Sequence, residues 1–298
     1  MTTVDRPSAP ERSSVSRKRR VRQAVGPGVR VGRLTLWIVV VFNVLIFTWL
    51  LMSSFKDTRE IFLNPWSLPS RLEFGNYSTA WVASKFAAAA INTVVVVAAA
   101  SVLIVVIGAP AAYALSRVTS RWVGPLTAAF AIGMGIPFQV VLIPLFVVMS
   151  RLGLVDSLVG LTVLYVALSL PFTVILLTGF FGTLPLELEE SASLDGASSV
   201  RTFITIMLPL ARTGLLTAFL LNAIGLWNET FIALVFLQSS DRQTLSLALL
   251  GFMQRQQYNG ADWGGLFAGV VILVTPMVVL YLWLGRRIIE GLTLGVGK

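Results

Sequence analysis

The sequence predicts an all-α, polytopic membrane protein with six transmembrane helices and both termini in the cytoplasm. Three observations carry this. The 298 residues are 56% hydrophobic and only 12% charged, against roughly 25% charge in an average soluble domain. Five charge-free stretches, 34–55, 86–116, 122–150, 157–186 and 263–285, each exceed the roughly 18 residues of a spanning candidate. A sixth, 208–238, is interrupted only by Arg212 and Glu229. With the N-terminus inside, sixteen Arg and Lys fall on the inner side and seven on the outer, which is the expected cytoplasmic excess. The chain has no Cys and no His, so disulfides, thiol nucleophiles and imidazole acid–base chemistry are excluded.

Residues 1–33 hold Arg6, Arg12, Arg17, Lys18, Arg19, Arg20, Arg22, Arg30 and Arg33 against Asp5 and Glu11, so this tail supplies +7 of the net +9. Its Ser, Pro and Gly content predicts a disordered basic cytoplasmic tail that fixes orientation and meets anionic lipid, with no nucleic-acid role. The following apolar stretch is 22 residues long and lacks an A-x-A site, so it reads as a span and not a signal peptide.

Residues 55–85, with Pro65, Trp66 and Pro69, are expected along the outer membrane surface, where Trp is enriched. The next three apolar stretches are longer than a bilayer requires, which predicts tilt. Asn43 and Asn92 are expected to bond between helices, and Gly133-Met134-Gly135 to serve packing. Gln139 receives no role. Residues 239–262, polar and Gln-rich, are expected as a second external segment.

The inner stretch 183–207 is too polar to span and too long for a turn. Glu187, Glu189 and Glu190 follow Pro185, a helix start with acids where the dipole favours them. Gly196 permits a left-handed stop, and a second helical stretch, 197–207, leads to Leu208-Pro209. Two short helices meeting at a glycine make a knob on which a soluble partner docks.

Glu190-Ser191-Ala192, three residues, Gly196, nine residues, then Ile206-Met207-Leu208-Pro209 resembles the EAA loop of binding-protein-dependent ABC importer permeases. The family pattern is E-A-A, three residues, G, nine residues, I-x-L-P, and Ser191 is the one departure. Dispersed matches resemble the carbohydrate-uptake branch, which includes the smaller permease of the maltose importer. Among them are Phe74-Gly75-Asn76-Tyr77, Ala112-Tyr113-Ala114-Leu115-Ser116-Arg117, Leu194-Asp195-Gly196-Ala197-Ser198 and Trp227-Asn228-Glu229.

The resemblance implies the type I ABC importer permease fold, with 34–289 as a six-helix permease domain, 183–207 as the cytoplasmic coupling loop and 290–298 as a short cytoplasmic tail. It implies an ATP-driven importer of a sugar or sugar derivative in a prokaryotic plasma membrane. The partners would be a second homologous permease subunit, two ATPase subunits and an extracytoplasmic solute-binding protein that meets 55–85 and 239–262. Glu190, Ser191, Ala192, Asp195 and Gly196 would contact or approach the ATPase, and Ile206, Leu208 and Pro209 would anchor the loop to the fifth span.

No catalytic residue, metal ligand or cofactor is expected in this chain; ATP and Mg would be bound by the ATPase partners. The terminal Gly295-Val296-Gly297-Lys298 lacks P-loop spacing and hydroxyl. Glu229 lies in a span, where an ionisable residue faces a cavity or a partner. Asn222, Trp227, Asn228 and Glu229 are therefore candidates for the solute pathway, because amides bond hydroxyls and aromatic planes stack on sugar rings. The other reading of Glu229 is that it holds a neighbouring helix. A permease for a polyamine or other small polar solute is the alternative within this class. An intramembrane transferase would need a cluster of acids at the membrane face, and an ion-coupled carrier internal repeats with broken helices; the chain shows neither.

Overall fold

The computed structural model describes residues 27–83 and 85–296, so the basic tail up to residue 26 and residues 297–298 lie outside the described residues. Two compact units divide at residues 48 and 49. The first contains most of helix α1 (Pro27–Ser53), which opens six residues before the expected end of the tail at residue 33. Its polar side chains are satisfied within the helix: Thr35, Asn43 and Thr48 donate to the carbonyls of Val31, Val39 and Val44 at 3.1, 2.8 and 2.7 Å. Asn43 thus bonds its own backbone within α1.

In the second unit, four residues connect α1 to α2 (Thr58–Leu63), and α3 (Gly75–Ala83) precedes the long α4 (Phe86–Arg117). Lys56 is fully buried, and no carboxylate pairs with it among the described residues. Its ammonium donates to the carbonyls of Asn64 and Pro65 at 2.8 and 3.4 Å and to Ser67 Oγ at 3.4 Å, so it closes the turn after α2. Asn76 Nδ2 donates to the carbonyls of Ser54 and Lys56, both at 2.9 Å, and ties α3 to the same knot.

The stretch 122–150 was expected as one tilted span and is instead two helices, α5 (Val123–Gly135) and α6 (Phe138–Arg151), bent by 98°. Pro137 causes the break. It has no N–H to continue the helix and pushes Ile136 to an extended conformation, with ψ 116°. α7 (Leu158–Gly182) is continuous. After the inner loop, α11 (Arg212–Trp227) meets the helical stretch before it at 73° and ends at Asn228; α12 (Phe231–Phe236) is separate. The expected span 208–238 is therefore also segmented. Residues 239–262 are not a polar loop throughout: α13 (Leu245–Asn259) buries Leu245, Leu247, Leu249 and Phe252. α14 (Trp263–Val296) continues past residue 289, where a tail was expected. Among the described residues four helices are long and apolar enough to cross a membrane, or six if each bent pair forms one span.

The fold is all-helical, and its centre is the α4–α7 pair. Around one half pack Phe86, Val96, Ile104, Leu161 and Trp227. Towards the other end, Val174, Leu177, Phe181, Met207 and Ala218 form a second cluster. There α7 and α11 approach so closely that a Cβ at Gly214 would lie 2.5 Å from the Phe180 ring.

Candidate functional site

The inner loop is built as two short helices around one glycine. α8 (Glu187–Leu194) carries three acids in its first turn, where the dipole favours them. It ends in a Schellman motif: Ala197 N–H donates to Ala192 O at 2.9 Å and Gly196 N–H to Ser193 O at 3.0 Å. Gly196 has φ +79°, a left-handed conformation that glycine adopts without cost. Ser198 caps α9 (Ser199–Thr202) by accepting from Arg201 N–H at 3.4 Å. A π-helical turn, Phe203–Met207, and α10 (Leu208–Leu210) then lead to α11.

Glu190, Ser191, Asp195, Gly196 and Pro209 are exposed, while Ile206 and Leu208 are half-buried. Ala192, expected at the docking surface, is buried within the chain. The reason is helical phase: it lies one turn after Glu189, on the face turned to α4. What the loop offers outward is apolar as well as acidic, for Leu194 is 90% exposed and Val200 67%.

The base of the loop is held by the last turn of α4. Arg117 Nε donates to Glu189 Oε1 at 2.6 Å, Arg117 Nη2 to Leu184 O at 2.8 Å, and the Tyr113 hydroxyl to Glu189 Oε2 at 2.8 Å. These three side chains were visible in the sequence, Glu189 in the loop and the others in a family-like segment, yet nothing there paired them.

A cavity of about 260 Å³ lies between α7 and α11, lined by Tyr165, Ser169, Phe172, Asn222, Glu229 and Ile232 among others. Complete ligand pockets enclose about 300–1,000 Å³. Asn222 Nδ2 donates to Thr173 Oγ1 at 2.9 Å and Ala218 O at 2.8 Å. The Glu229 carboxylate accepts from the Tyr165 hydroxyl at 2.8 Å and from Ile232 and Ala233 N–H at 2.7 and 3.2 Å. It thereby caps α12 and fastens it to α7. Of the four pathway candidates only Asn222 and Glu229 reach this cavity. Trp227 is buried and donates to Leu273 O of α14 at 3.0 Å, while the exposed Asn228 bonds Ile224 O at 2.8 Å. Tyr165, the one phenol between residues 157 and 186, was missed; a lone phenol opposite a lone in-span carboxylate was the available signal.

At the opposite end from the loop, Asp156, with φ +54°, clamps the segment after α12. Its Oδ1 accepts from Gln238 and Ser239 N–H, both at 2.9 Å, and its Oδ2 bonds the Ser239 hydroxyl. Arg242 lies against it at 3.5 Å. The Ser239 hydroxyl, then the two backbone N–H groups and Arg242, hold this carboxyl well below its usual value, at about 2. Asn92 supports the same segment by donating to Asp241 and Gln243 carbonyls at 2.9 and 3.1 Å. No cluster of acids capable of holding a metal ion occurs among the described residues.

Residues 104–292 match the family described as binding-protein-dependent transport system inner membrane component. The chain is 33% identical over 262 residues to a diacetylchitobiose uptake system permease protein of Streptomyces coelicolor, covering 88% of this chain and 86% of the relative. It is 31% identical to a trehalose transport system permease protein of Mycobacterium tuberculosis over 89% of this chain and 98% of the relative. A melibiose/raffinose/stachyose import permease protein of Bacillus subtilis is 30% identical over 93% of this chain and 100% of the relative. Among solved structures, a bacterial ABC transporter involved in the import of the acidic polysaccharide alginate matches with TM-score 0.75 and 22% identity, covering 88% of this chain and 98% of that one. That match shows the ABC importer permease fold.

Proposed function

The chain belongs to the binding-protein-dependent transport system inner membrane component family, and from that premise we propose that it forms half of the translocation pathway of an ATP-driven sugar importer. Membership makes it a multi-pass membrane protein and a transport component that works with ATPase and binding-protein partners, not an enzyme. The observation that carries the sugar assignment is the set of relatives aligned over nearly the whole chain, whose names concern diacetylchitobiose, trehalose and melibiose-type oligosaccharides.

A second, similar permease completes the pathway, and two ATPase subunits bind the ATP and Mg. The loop 183–207 faces the cytoplasm and docks on an ATPase subunit through Glu190, Asp195, Leu194 and Val200, with Ile206, Leu208 and Pro209 anchoring it to α11. The combined acidic and apolar exposure of that loop supports this assignment. Both termini are then cytoplasmic, and the solute-binding protein meets the opposite face, where Asp156 and Asn92 stiffen residues 237–243.

The cavity between α7 and α11 is this chain's contribution to the pathway. Ser169 and the buried Asn222 are among its lining residues, and Ser169 Oγ and Asn222 Oδ1 make no hydrogen bond among the described residues, which leaves both with hydrogen-bonding capacity for a hydroxylated solute. Uptake of radiolabelled diacetylchitobiose, trehalose, melibiose, raffinose and stachyose, in cells with and without this subunit, tests the proposal. Loss of one of these sugars supports it. Loss of none, with polyamine uptake abolished, transfers the substrate to the other class.

A further inference from the structure

We propose that Tyr113, Arg117 and Glu189 form a latch that makes α4 and α8 move as one body, so that displacement of the inner loop is delivered to α4 as well as to α11. The inference rests on the reading that this loop docks on an ATPase subunit.

Three observations carry it. First, the last turn of α4 grips both legs of the loop. On the entering leg, Arg117 binds Leu184 O and Glu189, and Tyr113 binds the other Glu189 oxygen. On the leaving leg, the Tyr113 ring lies 4.9 Å from that of Phe203, with Phe181 edge-on to it at 5.6 Å. Tyr113 and Arg117 are four residues apart, on one helix face.

Second, the latch is shielded. The side chains of Arg117 and Glu189 are only 11% and 19% exposed, so their attraction is screened less than that of a surface pair. All three of their bonds to each other and to the backbone are charge-assisted, the strong class. Glu189 faces its own chain while its neighbour Glu190 is exposed. Adjacent carboxylates therefore have different tasks, one inward to α4 and one outward.

Third, the covalent route from the loop to α11 is the more compliant of the two. It passes through the π-helical turn Phe203–Met207 and a 73° bend before Arg212. Backbone torsions at such breaks absorb displacement. The route through the latch crosses three side-chain bonds and enters α4, a 32-residue helix packed along α7. A shift of α8 thus reaches the most extensively packed helix pair of the fold at its end, and α7 of that pair lines the cavity shared with α11.

The test uses the complete complex in nanodiscs, with a Leu168→Cys substitution in this otherwise cysteine-free chain. Leu168 lines the cavity, so the alkylation rate of that thiol, with and without MgATP and vanadate, reads its accessibility. In Tyr113→Phe/Glu189→Gln and in Arg117→Met, ATPase association is expected to stay within about twofold of the parent. The nucleotide-dependent change in alkylation is expected to fall about tenfold, and Arg117→Lys to restore part of it. A second measurement, on the complex in proteoliposomes, joins Arg117→Cys to Glu189→Cys with a short bis-methanethiosulfonate, in a chain without the Leu168 thiol; ATP-driven sugar uptake should survive the cross-link. Full nucleotide response in the latch variants, lost association in them, or uptake abolished by the cross-link each overturns the latch. Association unaffected by Leu194→Glu overturns the docking reading itself, and the latch with it.

Discussion

Gly196 offers a test in which conformation alone is perturbed. A Cβ built there meets nothing within 4 Å, so the cost of a side chain comes only from φ +79°. Left-handed backbone costs an L-residue about 1–2 kcal/mol, with Asn nearer the lower end because its side chain bonds locally. β-Branching raises the cost further. Relief of that strain means abandoning the Schellman bonds from Ala197 to Ala192 and from Gly196 to Ser193, which turns Leu194 and Glu190 away from their docking pose. An energy of 1–2 kcal/mol corresponds to about a 5- to 30-fold change in an equilibrium constant. Gly196→Ala should therefore weaken ATPase-subunit binding by up to about 30-fold, Gly196→Asn by less and Gly196→Val by more. The assay is titration of purified ATPase subunit onto the permease complex in nanodiscs, alongside sugar uptake. Gly196→Ala within twofold of wild type, or Asn as damaging as Val, would show that the left-handed turn is not what presents the loop.

Three further outcomes follow from the polar contacts. Glu229→Ala strips the acceptor from Tyr165 and from two N–H groups of α12, and unsatisfied buried donors cost about 1–3 kcal/mol. Thermal unfolding in detergent should move to lower temperature, by more than for Tyr165→Phe, and an unchanged Tm would refute the capping role. Lys56→Met removes the donor from Asn64 and Pro65 carbonyls at a similar cost of about 1–3 kcal/mol. Faster proteolysis at residues 57–70 should report it. Asp156 has a folded pKa depressed from 3.8 to about 2, so its stabilising effect is complete above about pH 4 and is lost as pH falls towards 2. Protease resistance of 237–243 should fall over that window in the parent, while Asp156→Asn should be weak at neutral pH and insensitive across it.

The helices were legible wherever apolar runs are long and uninterrupted. α4 and α7 begin and end within a few residues of the boundaries that Arg117, Asp156 and Glu187 set in the sequence. The breaks were not legible in the same way. Pro110, Pro144, Pro171 and Pro276 all sit inside helices, while Pro65 and Pro137 each directly follow a helix C-cap, and only tertiary context separates the two outcomes. α13 was hidden because its buried half, Leu245–Phe252, is followed by Gln254, Arg255, Gln256 and Gln257. Averaging over 239–262 erases an amphipathic switch along the helix. The turn at Gly196 was readable because a glycine between two polar helical stretches has few other uses. The pairing of Arg117 with Glu189 was not, since 72 residues separate them and periodicity carries no information at that range.

The fate of the in-span polar groups bears on where selectivity resides. Low dielectric makes an unpaired polar group expensive, so each one tends to be spent on the nearest partner. Thr93, Asn222 Nδ2, Trp227 and Tyr165 are all engaged within the chain, and Glu229 accepts three bonds of its own. Among the described residues that line the cavity, that leaves Ser169 Oγ and Asn222 Oδ1 as side-chain atoms without a hydrogen bond, beyond the carboxylate. Two such atoms in about 260 Å³ are too few to distinguish one sugar from another, because discrimination requires several placed groups that a wrong solute would leave unpaired. Exchange of this chain for a relative that handles a different sugar should therefore alter the uptake rate and leave the order of preferred sugars unchanged. A reversed order would place selectivity in this cavity and assign Ser169 and Asn222 a larger part than their number implies.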